Sequence, residues 1–324
     1  MGRSGYILIL ACVVFSCSKP RVSWLTRFAP PEQTFQIDPR DPNTITGARG
    51  TRIKIPAHAF DIDDDVNHLE LRLTEAMDGF DMAATGLPMH FEDELGQDRT
   101  FESAGMFRVQ AFEEGDPVEL AKGKSLDVQF PNLTPGEKFR VYRYDGKKWQ
   151  HDGHNQEKPP LFGESPRLPV AWLPAARVPV AVGIRQYAIT DLTWWNFDYP
   201  RVDSVCIKGS VKNASGDFEI ITIGHKPKGT HLAYSDEHFK TGALQRGDVT
   251  VLVISLSKGS FGVLRRKTGE IWGTYKQPES PHNFCEDVGE IELREIPEKA
   301  LQDRKDFRKF VGLPEEEYQV NYPK

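Results

Sequence analysis

Short runs in which apolar and polar residues alternate dominate the chain, and that period predicts strands rather than helices. Thr51 to Ile55 alternates and ends at Pro56. His68 to Leu73 places Leu69, Leu71 and Leu73 on one face. Phe107 to Phe112, Leu126 to Phe130 and Phe139 to Tyr144 repeat the pattern. Turn signals separate these runs, at Asp61 to Asn67, Glu114 to Pro117, Pro135-Gly136 and Asp145-Gly146. Strands at such short intervals predict an antiparallel sandwich or barrel.

A proline-rich stretch, residues 155–180, reads as a loop of this first unit. Tyr187 to Pro200 is the densest aromatic segment, and a seam between two units is the expected use of Trp194 and Trp195. A second set of strands follows: Val205 to Val211, Phe218 to Ile223, Val249 to Leu256 and Gly289 to Leu293. Val249 to Leu256 is almost continuously apolar, so it is expected to be central and covered on both faces. Beyond Pro297 the period changes. Leu301, Phe307, Phe310 and Val311 approximate helical spacing, which predicts one amphipathic helix stopped by Gly312 and Pro314 and docked on a sheet.

The first residues follow a different logic. Arg3 precedes an apolar run from Tyr6 to Phe15, too short for the roughly 20 residues of a membrane span. Ser16 and Cys17 follow, the order of a secretory signal. Val14-Phe15-Ser16-Cys17 resembles the lipobox of bacterial lipoproteins, which implies acylation of Cys17 as the first mature residue. Ser18 fits sorting to the outer membrane if the host is Gram-negative. Residues 18–31, ending in Phe28-Ala29-Pro30-Pro31, read as an extended tether.

Composition then narrows the picture. The 324 residues are 39% hydrophobic and 10% aromatic, enough for two packed interiors. The net charge of −6 is built from both signs interspersed, so the footprint of a nucleic-acid-binding protein is absent. Of four cysteines, Cys12 lies in the signal and Cys17 at the lipidation site. Cys206 and Cys285 remain, either as a pair or as buried thiols, and export favours the pair. Closing that loop of 79 residues stabilises the fold by roughly 4 kcal/mol in the chain-entropy picture.

Two further resemblances carry family expectations. Ile45-Thr46-Gly47-Ala48-Arg49-Gly50-Thr51-Arg52-Ile53-Lys54-Ile55-Pro56-Ala57-His58-Ala59-Phe60 resembles the opening of ZU5-like β-domains of bacterial surface proteins, and Gly105-Met106-Phe107 resembles a recurrent strand start in them. Some relatives cleave themselves at a His-Phe-Ser sequence; here His90-Phe91-Glu92 lacks the nucleophile. Cys206 to Val211, the turn Asn213 to Gly216 and Phe239-Lys240-Thr241-Gly242 are similar to the carboxypeptidase regulatory-like, transthyretin-type sandwich, with Trp194-Trp195-Asn196-Phe197-Asp198 as its lead-in. Its usual turn proline is missing, since Gly216-Asp217-Phe218 stands there. Both resemblances imply scaffolding or binding roles and bring no catalytic residues.

Candidate chemistry is sparse. Asp61, Asp63, Asp64, Asp65 and Asn67 offer oxygen ligands for calcium, although Val66 stands where an EF-hand needs glycine. The alternative is a solvated acidic turn. His151 and His154 form an H-x-x-H pair within Trp149 to Asn155, but that stretch contains Asp152-Gly153 and reads as a loop and not as a zinc-binding helix. His58, His90 and His225 have no neighbours suggesting a relay.

The expected protein is thus all-β: a signal (1–16), a tether (17–31), a ZU5-like sandwich (32–200), a carboxypeptidase regulatory-like sandwich (201–296), and a helix with a tail (297–324). Its expected role is that of a non-catalytic, lipid-anchored lipoprotein of the outer membrane or cell surface, working with an envelope protein partner and without a cofactor. Two other readings are a carbohydrate- or peptide-binding module using exposed Trp194, Trp195 or Trp272, and a hydrolase with a converging carboxylate pair.

Overall fold

Leu69, Leu71 and Leu73 all lie at 1% exposure or less, and their alternation builds the strand Leu69–Ala76 against the first core. The computed structural model describes residues 22–93, 95–96, 98–132, 139–153, 183–201, 204–214, 216–244, 248–256, 260–267 and 285–313. These residues form two β-sandwiches in chain order, with a 3-10 helix before them, one short helix within the first and two after the second.

In the first sandwich an eight-stranded sheet faces a four-stranded one. The larger sheet runs Glu32–Ile37, Leu69–Ala76, Asp98–Glu113, Trp194–Arg201, Arg140–Tyr144 and Trp149–His151, with His90–Glu92 and Asp116–Val118 paired to Asp98–Glu113. The smaller runs Gly183–Ile189, Leu126–Asn132, Arg52–Ile55 and Asn43–Thr46. Ile53, Val128, Phe107, Trp195 and Phe197 meet between the sheets.

The second sandwich stacks His238–Leu244, Ser204–Val211 and Cys285–Ile291 against a five-stranded sheet. That sheet runs Lys228–Ser235, Phe218–Lys226, Asp248–Ser255, Ser260–Lys267 and Arg294–Glu295. Asp248–Ser255 is buried from Val249 onward and lies between two strands, as its apolar run predicts. Ser204–Val211 and Cys285–Ile291 pair in parallel with Cys206 opposite Cys285, and the two cysteines form a disulfide.

Three expectations are corrected. The tether is folded from Ser23 onward: Ser23 caps a 3-10 helix, Trp24–Phe28, whose Leu25 and Phe28 are buried. The predicted terminal helix is two, α2 (Glu298–Gln302) and α3 (Arg304–Phe310), because Asp303 takes an extended conformation between them and caps the second. Its buried apolar residues are Ala300, Phe307 and Val311, while Leu301 and Phe310 stay partly exposed. Residues 149–151 form a strand where a loop was expected. A further short helix, α1 (Gly79–Thr85), follows the strand Leu69–Ala76.

Candidate functional site at the domain seam

The outer face of the five-stranded sheet carries Glu219, Ile221 and Ile223 on one strand and Leu252 and Ile254 on the next. This face is covered by segments from three distant parts of the chain: the 3-10 helix, α1, and α2 with α3. The cover and the sheet form a single apolar cluster between the sandwiches.

Small residues let α1 approach closely. A Cβ on Gly79 would lie 2.7 Å from the carbonyl oxygen of Gly224, so helix and strand meet backbone to backbone. Asp78 caps α1, its Oδ1 accepting from the amide of Asp81 at 2.9 Å, and Gly86 closes the helix at φ 73°. Phe307 of α3 stacks on Phe28 with centroids 4.3 Å apart and also meets Trp24 and Phe80.

An ionic cluster lies beside these rings. Arg308 donates from Nη2 to Asp78 Oδ2 at 2.7 Å and from Nη1 to Asp81 Oδ1 at 2.8 Å. Arg304 pairs with the same Asp81 and donates to the carbonyl of Phe28. Arg49 approaches Asp78 at 3.9 Å. The guanidinium carbon of Arg308 stands 4.7 Å from the centre of the Phe80 ring. Arg308 and Asp81 are each 98% withdrawn from solvent, because their side chains keep only 2% exposure.

Glu75 and Glu219 anchor the chain on either side of this cluster. Glu75 accepts from the amides of Arg49 and Thr51, both at 2.8 Å, and from Gln33 Nε2 at 2.9 Å. The Gly47–Gly50 turn wraps this carboxylate so tightly that a Cβ on Gly47 would fall 2.3 Å from Glu75 Oε2. Glu219 accepts from Ser23 Oγ and, at 2.7 Å, from the amide of Trp24. Burial raises the Glu219 carboxyl above its ordinary value, and these two hydrogen bonds oppose that. Lys228 Nζ donates to the carbonyl of Met77 at 3.1 Å, a further link between the sandwiches.

The arrangement holds bodies together. Its charged groups face one another across the seam instead of converging on an open cavity. A small cavity close by is lined by Thr100 of the first sandwich and Thr222, Thr230 and His231 of the second.

The residues singled out from sequence fall elsewhere. Trp195 is fully buried in the first core, its indole N–H donating to the carbonyl of Asp191 at 2.9 Å, so it neither lines the seam nor offers a platform. Trp194 is half-buried beside Arg108, whose guanidinium carbon is 5.4 Å from the ring centre. Asp61, Asp63, Asp64, Asp65 and Asn67 stand exposed on a turn closed by the amide of Val66 on the carbonyl of Asp63. Among the described residues no three His, Cys, Asp or Glu groups gather closely enough for a metal. His151 packs against Tyr142, and His225 Nε2 lies 2.9 Å from Thr250 Oγ1. Cys17, His154 and Trp272 lie outside the described residues.

Asp198 forms a second buried polar group. Its Oδ2 is held by Asn196, which accepts in turn from Ser103 Oγ at 3.0 Å. Burial raises its carboxyl well above the ordinary range. The seam carboxylates and arginines were missed in the sequence, although Asp78 and Asp81 at the start of a short run carry the spacing of a helix cap. Compared with family models, curated proteins and solved structures, the chain matches none.

Proposed function

We propose that the protein is a non-catalytic lipoprotein of the bacterial envelope, acylated at Cys17, whose two sandwiches are of ZU5-like and carboxypeptidase regulatory-like type and work as one stiff piece. The observation that carries the reading is the seam. Buried arginines and carboxylates, a four-ring aromatic cluster and both flanking segments are committed to fixing one sandwich against the other. Rigid spacing is what a structural or protein-binding component of an envelope assembly needs. The turn around Glu75 gives a physical reason for the Gly47-Ala48-Arg49-Gly50-Thr51 motif behind the first resemblance. An exported location accords with the Cys206–Cys285 disulfide.

Mass spectrometry of the purified protein tests the anchor: an acylated Cys17 as the first residue is expected. Cys17→Ala should release the protein from membrane fractions. A retained signal with an unmodified Cys17, or unchanged fractionation of the variant, refutes the reading.

A further inference from the structure

One cross-strand row of the outer sheet face, Tyr234, Glu219, Ile254 and Phe261, spans four neighbouring strands. Glu219 in this row binds Ser23 and Trp24, so the chain coming from Cys17 joins the folded body there. Seven large apolar side chains are substantially exposed among the described residues, and five border this place. Val22 precedes Ser23 directly. Tyr234 is the strand partner of Glu219, and Leu232 follows on the same face. Leu256 extends the strand that carries Ile254, its amide bound to Asp217 beside Phe218. Phe310 packs on Phe261 with centroids 4.6 Å apart. By contrast, α1 and the first sandwich approach at Gly224 and Gly229, toward the opposite end of the same strands.

Chain length supplies the occupant. From Cys17 to Ser23 there are six residue steps, which reach at most about 20 Å even when fully extended. A lipid at Cys17 therefore holds this end of the second sandwich against the bilayer surface. Tyr234 and the half-buried Trp24 are interfacial types, and Arg27, Lys305 and Lys309, with Lys19 and Arg21 in the connecting segment, supply positive charge against the exposed acids Asp217, Asp236 and Glu237 at the same strand ends.

We infer that Val22, Leu232, Tyr234, Leu256 and Phe310 form a surface that rests on the headgroup layer of the membrane, with the first sandwich directed away from it. This rests on the lipid anchor proposed above. It also replaces a loosely tethered body with an oriented one.

The test uses the full lipidated chain reconstituted in vesicles of phosphatidylethanolamine and phosphatidylglycerol carrying a headgroup nitroxide quencher. A fluorophore is attached to a single introduced thiol in Tyr234→Cys, in Leu256→Cys, and in Leu95→Cys on the exposed turn of the first sandwich. Quenching several-fold stronger at 234 and 256 than at 95 is expected. Equal quenching at all three, with acylated Cys17 confirmed by mass, overturns the surface and spares the anchor. An unacylated Cys17 removes the length argument and overturns both. Circular dichroism matching that of the parent chain shows that each labelled variant is folded, and the exposed positions make this the expected result.

Discussion

Arg308 and Asp78 are separated by 230 residues of sequence, yet the Nη2 of one donates to the Oδ2 of the other at 2.7 Å inside the seam. Neither group has water to fall back on, so the pair and its partner Asp81 stand or fail together.

Replacing Arg308 by Ala removes the guanidinium that bridges Asp78 and Asp81, leaving Asp81 to Arg304 and Asp78 to the more distant Arg49. Loss of one partner of a buried ion pair costs about 3–5 kcal/mol, and urea unfolding should register a decrease of that order. Arg308→Lys should recover only part of it, since an ammonium cannot serve both carboxylates with a planar fork. Unfolding midpoints indistinguishable from wild type in both variants would count against a stabilising seam.

Phe307→Ala removes the ring that joins Phe28, Trp24 and Phe80. Truncation of a buried phenylalanine costs about 3–5 kcal/mol. Faster hydrogen exchange in Trp24–Phe28 and α1, with the distant strand Arg52–Ile55 still protected, is the pattern to look for.

Gly47→Ala forces a methyl group onto Glu75, which three hydrogen bonds prevent from moving aside. Overpacking of this kind costs about 1–3 kcal/mol. Gly153→Ala, with nothing among the described residues within 4 Å of its Cβ and no positive φ, is the matched control and should leave the melting temperature unchanged.

The raised carboxyl of Asp198 makes a signed prediction for pH. Unfolded, the group releases its proton near pH 4. Folded, burial keeps the proton on to higher pH, with the Ser103 hydrogen bond opposing. The native state thus binds more protons over that window, and this residue's contribution falls as pH rises above about 4. Asp198→Asn abolishes the titration. Its stability relative to wild type should therefore climb between acid and neutral pH, as followed by urea titrations at several pH values. A difference that stays flat across the range would show that the carboxyl does not titrate as described.

Much of the fold could be read from alternation, because Leu69, Leu71, Leu73 and the Val249–Ser255 run each report which faces are covered. The aromatic strand Trp194–Arg201 was harder. Trp195 and Phe197 enter one core while Asn196 and Asp198 are buried on the opposite face, so the apolar-polar alternation of the sequence does not reveal that both faces are covered. The segment Trp24–Phe28 offers only Leu25 and Phe28 as buried anchors, too few to distinguish a docked turn from a tether. The single predicted helix failed at Asp303, where a capping side chain stabilises a fresh start instead of continuation. The seam itself was hidden for a more basic reason: its partners come from residues 23–28, 49–86, 219–229 and 296–313, and local periodicity carries no trace of such pairings.

Because α3 follows both sandwiches in the order of synthesis, the joint it completes can close only after both of them have been made. Until Phe307 and Arg308 arrive, the sheet face with Ile221 and Leu252 and the acid pair on α1 wait without their cover. A premature stop before Arg304 would thus yield two assembled halves joined by an apolar face and an acid pair that lack their partners from α3.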